Sequence, residues 1–445
     1  MAFYLRNDEI SLLRRQLWLS EHQRSRMTLI HGEPNSGKTS LAARALSDGT
    51  TLYLKTGNRT ESMMLAGFSE QIGRKLKKQV PNPPKEICTM LKLLFGYSTE
   101  STLTFIIDGF DYYLKSNSDE LYNFCEIWKD YRSSSHINLV IIVDDEMLAT
   151  AAINEKSGPL SALADLRIRL DKFKISELKT LMSLTCEDYS NEDLLFLYGI
   201  TGGVPEYVGK AIQGGSPKLP DFVSRLFCED SYYIREGDNI LNSVIGHNKD
   251  IYVSILQAIA SGKRTQSEIE AAVGKGNVGG HLYKLEKEFG LVVKVRPTLS
   301  ANAQRNVVRY EIKSTFLLMW LRTIDNNRDL VASCDFNKLR EFAFDDFGRL
   351  HKYLLVRYFR DMLQEQYGFT EIGGQWKSSA KNEKYGPEAD IISVDDKDRK
   401  VFIAAVEKSV ADFNKATFLE TISNLEKNCL KGYKIDSRLF TLEDM

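Results

Sequence analysis

The stretch Gly32-Glu33-Pro34-Asn35-Ser36-Gly37-Lys38-Thr39-Ser40 leaves this chain the least freedom. It fits G-x-x-x-x-G-K-[ST] in full and follows Met27-Thr28-Leu29-Ile30-His31, a short apolar run of strand type. Behind it, Leu41-Ala42-Ala43-Arg44-Ala45-Leu46 supplies the small and apolar residues of a helix packed on a sheet. Strand, loop and helix therefore come in the order that phosphate binding needs. A glycine-permitted loop turns successive backbone N–H groups inward, and the helix adds the positive end of its dipole. The pattern predicts that residues 32–40 enclose a triphosphate, with Lys38 reaching the outer phosphates and the Thr39 hydroxyl on magnesium.

A phosphate loop of this kind calls for a second strand ending in an acid, and Leu103-Thr104-Phe105-Ile106-Ile107-Asp108 has that form. Asp108 is the expected second residue on the magnesium side. Gly109 and Phe110 follow, so glycine stands where many ATPases carry a catalytic glutamate, and the next carboxylate is Asp111. Asp111, alongside Lys38, is the candidate catalytic group, orienting the attacking water; its bland alternative is a helix cap or a solvated loop acid. A third strand, Ile137 to Val143, runs into Asp144-Asp145-Glu146, where a small polar sensor of the outer phosphate is usual. Three acids beside a triphosphate repel it, so some of them should point away, and turnover should be slow. Strands separated by helical segments through Leu170 predict a parallel sheet covered by helices.

At 445 residues the chain is expected to hold about three domains. Its 59 basic and 60 acidic side chains nearly cancel, so no global field draws nucleic acid, and any such binding needs a local basic surface. Six scattered cysteines without a Cys-x-x-Cys pair point to reduced, mostly buried thiols rather than zinc or a disulfide scaffold. No apolar run reaches the ~20 residues of a bilayer crossing, and the expectation is a cytoplasmic chain with no membrane partner.

After Leu170 the pattern turns helical, and Tyr198-Gly199-Ile200-Thr201-Gly202-Gly203-Val204-Pro205-Glu206-Tyr207-Val208 sets a breaker cluster between two helices. The glycines should stop one helix and Pro205 should start the next. This stretch resembles the G-G-x-P-x-Y signature of the archaeal-type ATPases, a branch of the STAND group of signal-transduction P-loop NTPases also found in bacteria. Phe3-Tyr4-Leu5-Arg6 with Glu9 resembles that family's opening motif, and Pro159-Leu160 with Arg167-Ile168-Arg169-Leu170 resembles its segment after the third strand. The resemblance spans essentially the whole chain. It implies ATP with Mg2+ as the ligand, a Pro205 corner close to the nucleotide, and transmission of nucleotide state to the downstream domains. Asp108-Gly109-Phe110-Asp111 is closer to the form of the related NACHT ATPases, and Ser161-Ala162-Leu163 stands where the family commonly has Tyr-Gly-Arg. A conventional arginine contribution to hydrolysis is thereby removed.

Further on, Ile251, Ile255, Leu256 and Ile259 mark one amphipathic helix, Thr265 caps a second with Ile269 and Val273, and a third runs near Val278–Phe289. The strand-like 291–295 and 307–312 complete a winged helix-turn-helix. Its third helix offers His281, Lys284 and Lys287 to DNA against Glu286 and Glu288, a weak basic face. In STAND proteins the module commonly packs on the ATPase as a regulatory lid. A last domain begins near Phe342, with strands over 369–377, 388–393 and 401–408. It resembles the restriction-endonuclease-like domain appended to archaeal-type ATPases, whose catalysis uses an acid on one strand and Glu-x-Lys on the next. Asp390 fits the first position; Glu407 is followed directly by Lys408, strand alternation sends the two to opposite faces, and the helix acid is replaced by Lys352. A degenerate nuclease site at Asp390 and Glu407 follows.

The expected α/β architecture is therefore a P-loop NTPase core at 1–172, a helical lid at 173–245, a winged helix-turn-helix at 246–330 and a restriction-endonuclease-like domain at 342–445. The expected function is a nucleotide-dependent switch with slow or regulated ATP hydrolysis, acting on a protein partner or on a second copy of itself; the winged helix is read first as a lid, with DNA as its alternative ligand. The competing readings are an ATP-licensed DNA-binding nuclease and a nucleotide-stabilised scaffold without turnover.

Overall fold

A computed structural model describes residues 5–47, 50–57, 60–80, 82–116, 120–143, 158–160, 162–246, 249–299, 308–367, 369, 371–376 and 388–445. Phe3, Tyr4, Asp144, Asp145, Glu146 and Ser161, all singled out above, lie outside these residues. The chain is an α/β protein of two units, one running through Lys172 and including Val204–Gly209, the other holding Phe173–Gly203 and Lys210–Met445.

The first unit is built on a sheet of five strands, β1 Arg26–Gly32, β2 Leu52–Lys55, β3 Leu103–Asp108, β4 Ile137–Val143 and β5 Leu166–Leu170. Their order is β2-β3-β4-β1-β5, and every pairing is parallel. Such a sheet needs cover on both faces, which is why β3 and β4, apolar except at Thr104, Asp108 and Asn138, are buried along their whole length. Alternation divides each strand between two cores. Leu29, Phe105, Ile107, Leu139 and Ile141 pack with Phe68, Leu91, Phe95 and Trp128 from the helices Glu61–Leu76, Ile87–Tyr97 and Glu120–Tyr131. Ile30, Ile106, Val140 and Ile142 pack on the other face with Ile10, Leu13, Leu41 and Ala42 from the helices Asn7–His22 and Lys38–Leu46. β1, β3 and β4 are the strands expected from sequence. The edge strands β2 and β5 are only 4 and 5 residues long; β2 is too short for a period to show, whereas Leu-Arg-Ile-Arg-Leu of β5 does alternate as a half-buried strand does.

The second unit opens with helices Ile175–Thr185 and Asn191–Thr201 and continues with Leu219–Leu226 and Tyr232–Ile245. Ser190 caps the second of these through a capping box with Asp193, and Gly202, in the left-handed region at φ 60°, ends it. Helices Asp250–Ala260, Gln266–Val273 and Gly279–Lys287 follow, then an antiparallel pair, β6 Val292–Val295 and β7 Arg309–Ile312. Thr265 and Glu268 form the capping box of the middle helix. Past helix Thr315–Thr323, the 32-residue helix Phe336–Tyr367 lies against a four-stranded sheet of order β11-β10-β9-β8. Its strands are β8 Glu371–Gln375, β9 Ala389–Asp395, β10 Lys400–Val406 and β11 Lys434–Phe440. β8, β9 and β10 pair antiparallel and β11 joins β10 in parallel, after the crossover helix Lys415–Asn428. Among the described residues no helix is long and apolar enough to cross a membrane.

Candidate nucleotide site

β1 ends at Gly32 hard against β5. A Cβ there would stand 2.0 Å from the Leu170 carbonyl oxygen, and φ is +148°, so only glycine lets the strand turn into the loop. The loop delivers Lys38 as the first residue of its helix, at the carboxyl ends of the strands where open α/β sheets take their ligands. The Lys38 side chain is 3% exposed. Its ammonium donates to the Gly32 carbonyl at 2.8 Å, the Glu33 carbonyl at 2.6 Å and the Ser36 hydroxyl at 3.2 Å. Three N–H donors thus meet three neutral oxygens, all weaker acceptors than a phosphate oxygen.

Thr39, the next residue, donates its hydroxyl to Asp108 Oδ2 at 2.8 Å, which brings together the two residues expected on the magnesium side. A third residue, absent from the sequence-based expectation, joins them: the hydroxyl of Tyr53 on β2 donates to the same oxygen. The oxygens of Thr39 and Asp108 are hard donors of the type magnesium prefers. Among the described residues no group of three or more His, Cys, Asp or Glu is gathered for a metal.

Gly109 takes φ +77°, and a Cβ there would sit 3.1 Å from Thr56 Oγ1 and 3.2 Å from the Tyr112 ring. The missing glutamate therefore reflects a backbone turn that resists any side chain. Asp111 lies in the first turn of helix Phe110–Ser116 and is 2% exposed, neither a solvated loop acid nor the residue preceding the helix.

Pro205 opens helix Pro205–Gln213, and the segment Val204–Gly209 belongs with the first unit. The Glu206 N–H donates to the Asn35 carbonyl at 3.3 Å, and the Asn35 amide donates to the Tyr207 hydroxyl at 3.1 Å. The Pro205 Cβ lies 3.9 Å from where a Cβ on Gly37 would be. The proline-bearing corner thus sits directly on the phosphate loop; Tyr207 was the aromatic of the signature, yet its hydrogen bond to Asn35 had no sequence signal.

In the second unit Asp390 and Glu407 also converge, on Lys352 of the long helix. Its ammonium is 2.7 Å from Glu407 Oε1 and 3.6 Å from Asp390 Oδ2, and Asp390 Oδ2 accepts the Val406 N–H at 2.9 Å. Burial pulls the Lys352 ammonium down, but the hydrogen bond it donates to Glu407 and the charge of Asp390 outweigh it, so its pKa is raised. β10 ends at Val406, before Glu407, and Lys408 pairs elsewhere, 3.4 Å from Glu192. On the helix Gly279–Lys287, Lys284 lies 3.9 Å from Glu288, Lys287 lies 3.1 Å from Glu286, and the His281 ring packs edge-on against Tyr252. Beside the β6–β7 pair, the Thr298 N–H donates to the Gly374 carbonyl at 3.0 Å, and the Arg309 guanidinium lies 4.6 Å from the Trp376 ring centre.

A P-loop α/β fold is what this strand order and loop define. No protein-family model matches the chain, and no curated protein is similar to it. Among solved structures it is similar to a Walker-type ATPase of Pyrococcus abyssi, at 16% identity over 72% of this chain and 96% of that one, with a TM-score of 0.47. It is also similar to the Aeropyrum pernix ORC2 protein in its ADPNP–ADP complexes, at 17% identity over 74% and 95% of the two chains, TM-score 0.48. A STAND protein of Pyrococcus horikoshii with a tetratricopeptide repeat sensor matches at 15% identity over 82% of this chain and 48% of that one, TM-score 0.30. At such scores the likeness carries no argument of its own, and the function has to be argued from the residues.

Proposed function

We propose that this chain is an ATP-binding, magnesium-dependent P-loop switch of STAND type with slow or regulated hydrolysis. The observation that carries it is the seat of the Pro205 corner on the phosphate loop, with Asn35 bonded to both Glu206 and Tyr207. In this reading the phosphates lie along residues 32–40, and the Lys38 ammonium exchanges its loop carbonyls for the outer phosphate oxygens. Thr39 and Asp108 hold the magnesium, whose charge neutralises the phosphates. Loop residues displaced by the phosphates move Asn35, and the corner passes that change to the chain beyond Gly209, toward the lid, winged-helix and C-terminal segments and a protein partner or second copy. Asp111, buried beside Gly109, is the group left to orient water. Slow turnover follows from a γ-phosphate neighbourhood without the usual glutamate.

Such a switch works only as far as ATP and ADP differ in their affinity for its states. Amide exchange of the purified protein in ATPγS and in ADP, both with magnesium, tests this directly. Different protection in residues 173–445 is expected, and identical protection throughout would sink the switch. Phosphate release by wild type and Asp111→Ala then separates a slow ATPase from a scaffold that holds ATP without turnover.

A second reading has its own observation: Asp390 and Glu407 do meet, as a metal-dependent nuclease would require. Against it stands the Lys352 ammonium between them, and against DNA binding stand the paired lysines of helix Gly279–Lys287. Magnesium-dependent nicking of DNA lost in Asp390→Ala would restore that reading.

A further inference from the structure

We infer that Tyr53, held in place by Gln71, is a positioning residue that sets the magnesium affinity of the nucleotide site; the inference rests on the ATP reading above. Asp108 is 5% exposed, and its Oδ2 accepts two hydrogen bonds, one from Thr39 at 2.8 Å and one from the Tyr53 hydroxyl. A carboxylate oxygen has two in-plane lone-pair sites, so these donors saturate Oδ2. Oδ1 accepts no hydrogen bond among the described residues and is left for a metal-bound water. Thr39 is poised in the complementary sense. Its single proton is committed to Asp108, which leaves its lone pairs for the cation. Without the second donor on Oδ2 the carboxylate is free to rotate about its χ2 bond, a broad and shallow torsion, and to offer either oxygen.

Tyr53 is itself fixed. It pairs with Ile106 in the β2–β3 register, two residues before Asp108, so its side chain shares a face with that of Asp108. β2 is the edge of the sheet, where a strand's outward N–H and C=O have no ladder partner. At Tyr53 both are taken by one side chain: Gln71 Oε1 accepts the Tyr53 N–H at 2.7 Å, and Gln71 Nε2 donates to the Tyr53 carbonyl at 3.0 Å. Gln71 comes from helix Glu61–Leu76, which packs on β2, so the helix pins the edge strand at the residue that reaches the magnesium side. A four-residue strand would otherwise be the loosest part of the sheet.

The test is Tyr53→Phe, which keeps the ring and removes only the donor, with Gln71→Met as a second variant that loosens Tyr53 from behind. Fluorescent ATP-analogue binding is titrated with magnesium and, separately, measured in EDTA, with thermal melting alongside. The half-saturating magnesium is expected to rise about fivefold to tenfold in Tyr53→Phe, the size of one ordinary net hydrogen bond. A smaller rise in the same direction is expected in Gln71→Met, while the EDTA affinity of Tyr53→Phe stays at its wild-type value and its melting temperature falls only by what one lost hydrogen bond costs. A purely structural Tyr53 would instead shift both affinities together. Unchanged or tighter magnesium dependence in Tyr53→Phe overturns the inference while leaving ATP binding standing. A wild type that binds no nucleotide at all overturns both.

Discussion

The Asn35 side chain donates to the Tyr207 hydroxyl across 3.1 Å, joining the middle of the phosphate loop to a residue that follows Pro205 in the chain. Asn35 sits at φ 63°, a left-handed conformation that asparagine tolerates better than most residues and glycine better still. Asn35→Gly therefore keeps the loop's backbone and removes only the amide. ATP affinity is expected to change by less than about threefold, because the loop N–H groups and Lys38 remain. The difference in amide protection of residues 173–445 between ATPγS and ADP is expected to shrink. A variant with the full wild-type difference would show that the bond plays no part in transmission.

Lys38→Met should abolish detectable ATP binding in calorimetry, since it removes the only ammonium placed by the loop's own helix. It should also lower stability without any nucleotide. The Gly32 and Glu33 carbonyls lose a charged donor inside a nearly closed loop, which costs about 1–3 kcal/mol. The melting transition of the second unit should be untouched. Unchanged ATP affinity in this variant would overturn the site assignment.

Legibility followed local order. Gly32–Thr39, Asp108 and the Gly202–Pro205 breaker could be read because each is a contiguous pattern whose chemistry fixes residue types at short spacing. Tyr53 could not, because its role depends on β2 lying in register beside β3, and four residues reading Leu-Tyr-Leu-Lys carry no periodicity that separates strand from helix. β11 is an edge strand whose polar residues break its alternation, whereas β5, Leu-Arg-Ile-Arg-Leu, does alternate as a strand, a signal legible over five residues only. Gly109 was legible as a departure but not as a cause: the positive φ and the close approach of Thr56 belong to the folded loop. Lys352, Asp390 and Glu407 were each named from sequence, yet their meeting needed the long helix laid against β9 and the end of β10.

Acid should weaken the second unit through His351. Its ring is 4% exposed and neither nitrogen makes a hydrogen bond among the described residues, while Glu192 lies 3.6 Å from Nε2. Burial, then the positive charge of Lys408, depress its pKa, and Glu192 offsets only part of this. The unfolded chain, with an ordinary histidine near pKa ~6.5, takes up a proton that the folded chain refuses. The contribution is therefore whole above that pH and is lost as pH falls below it, toward the depressed folded value. His351→Leu keeps the buried volume without the titration, so its melting temperature should fall less between pH 7 and pH 5 than that of wild type. Equal slopes would assign the acid sensitivity to other groups.

Lys352 decides what the Asp390–Glu407 pair can do. A divalent cation and an ammonium are rival answers to the same problem, two carboxylates close enough to repel, and here the ammonium is covalently supplied. All three side chains are partly exposed, so solvent screens the pair, and Lys352→Met should cost only about 1 kcal/mol. The informative change is in metal response. Without nucleotide, Mn2+ should raise the melting temperature of Lys352→Met well above its effect on wild type, and Glu407→Gln added to that variant should erase the gain. The same manganese shift in wild type, lost in Asp390→Ala, would mean that the lysine yields its place readily and that metal chemistry at this sheet has to be reconsidered.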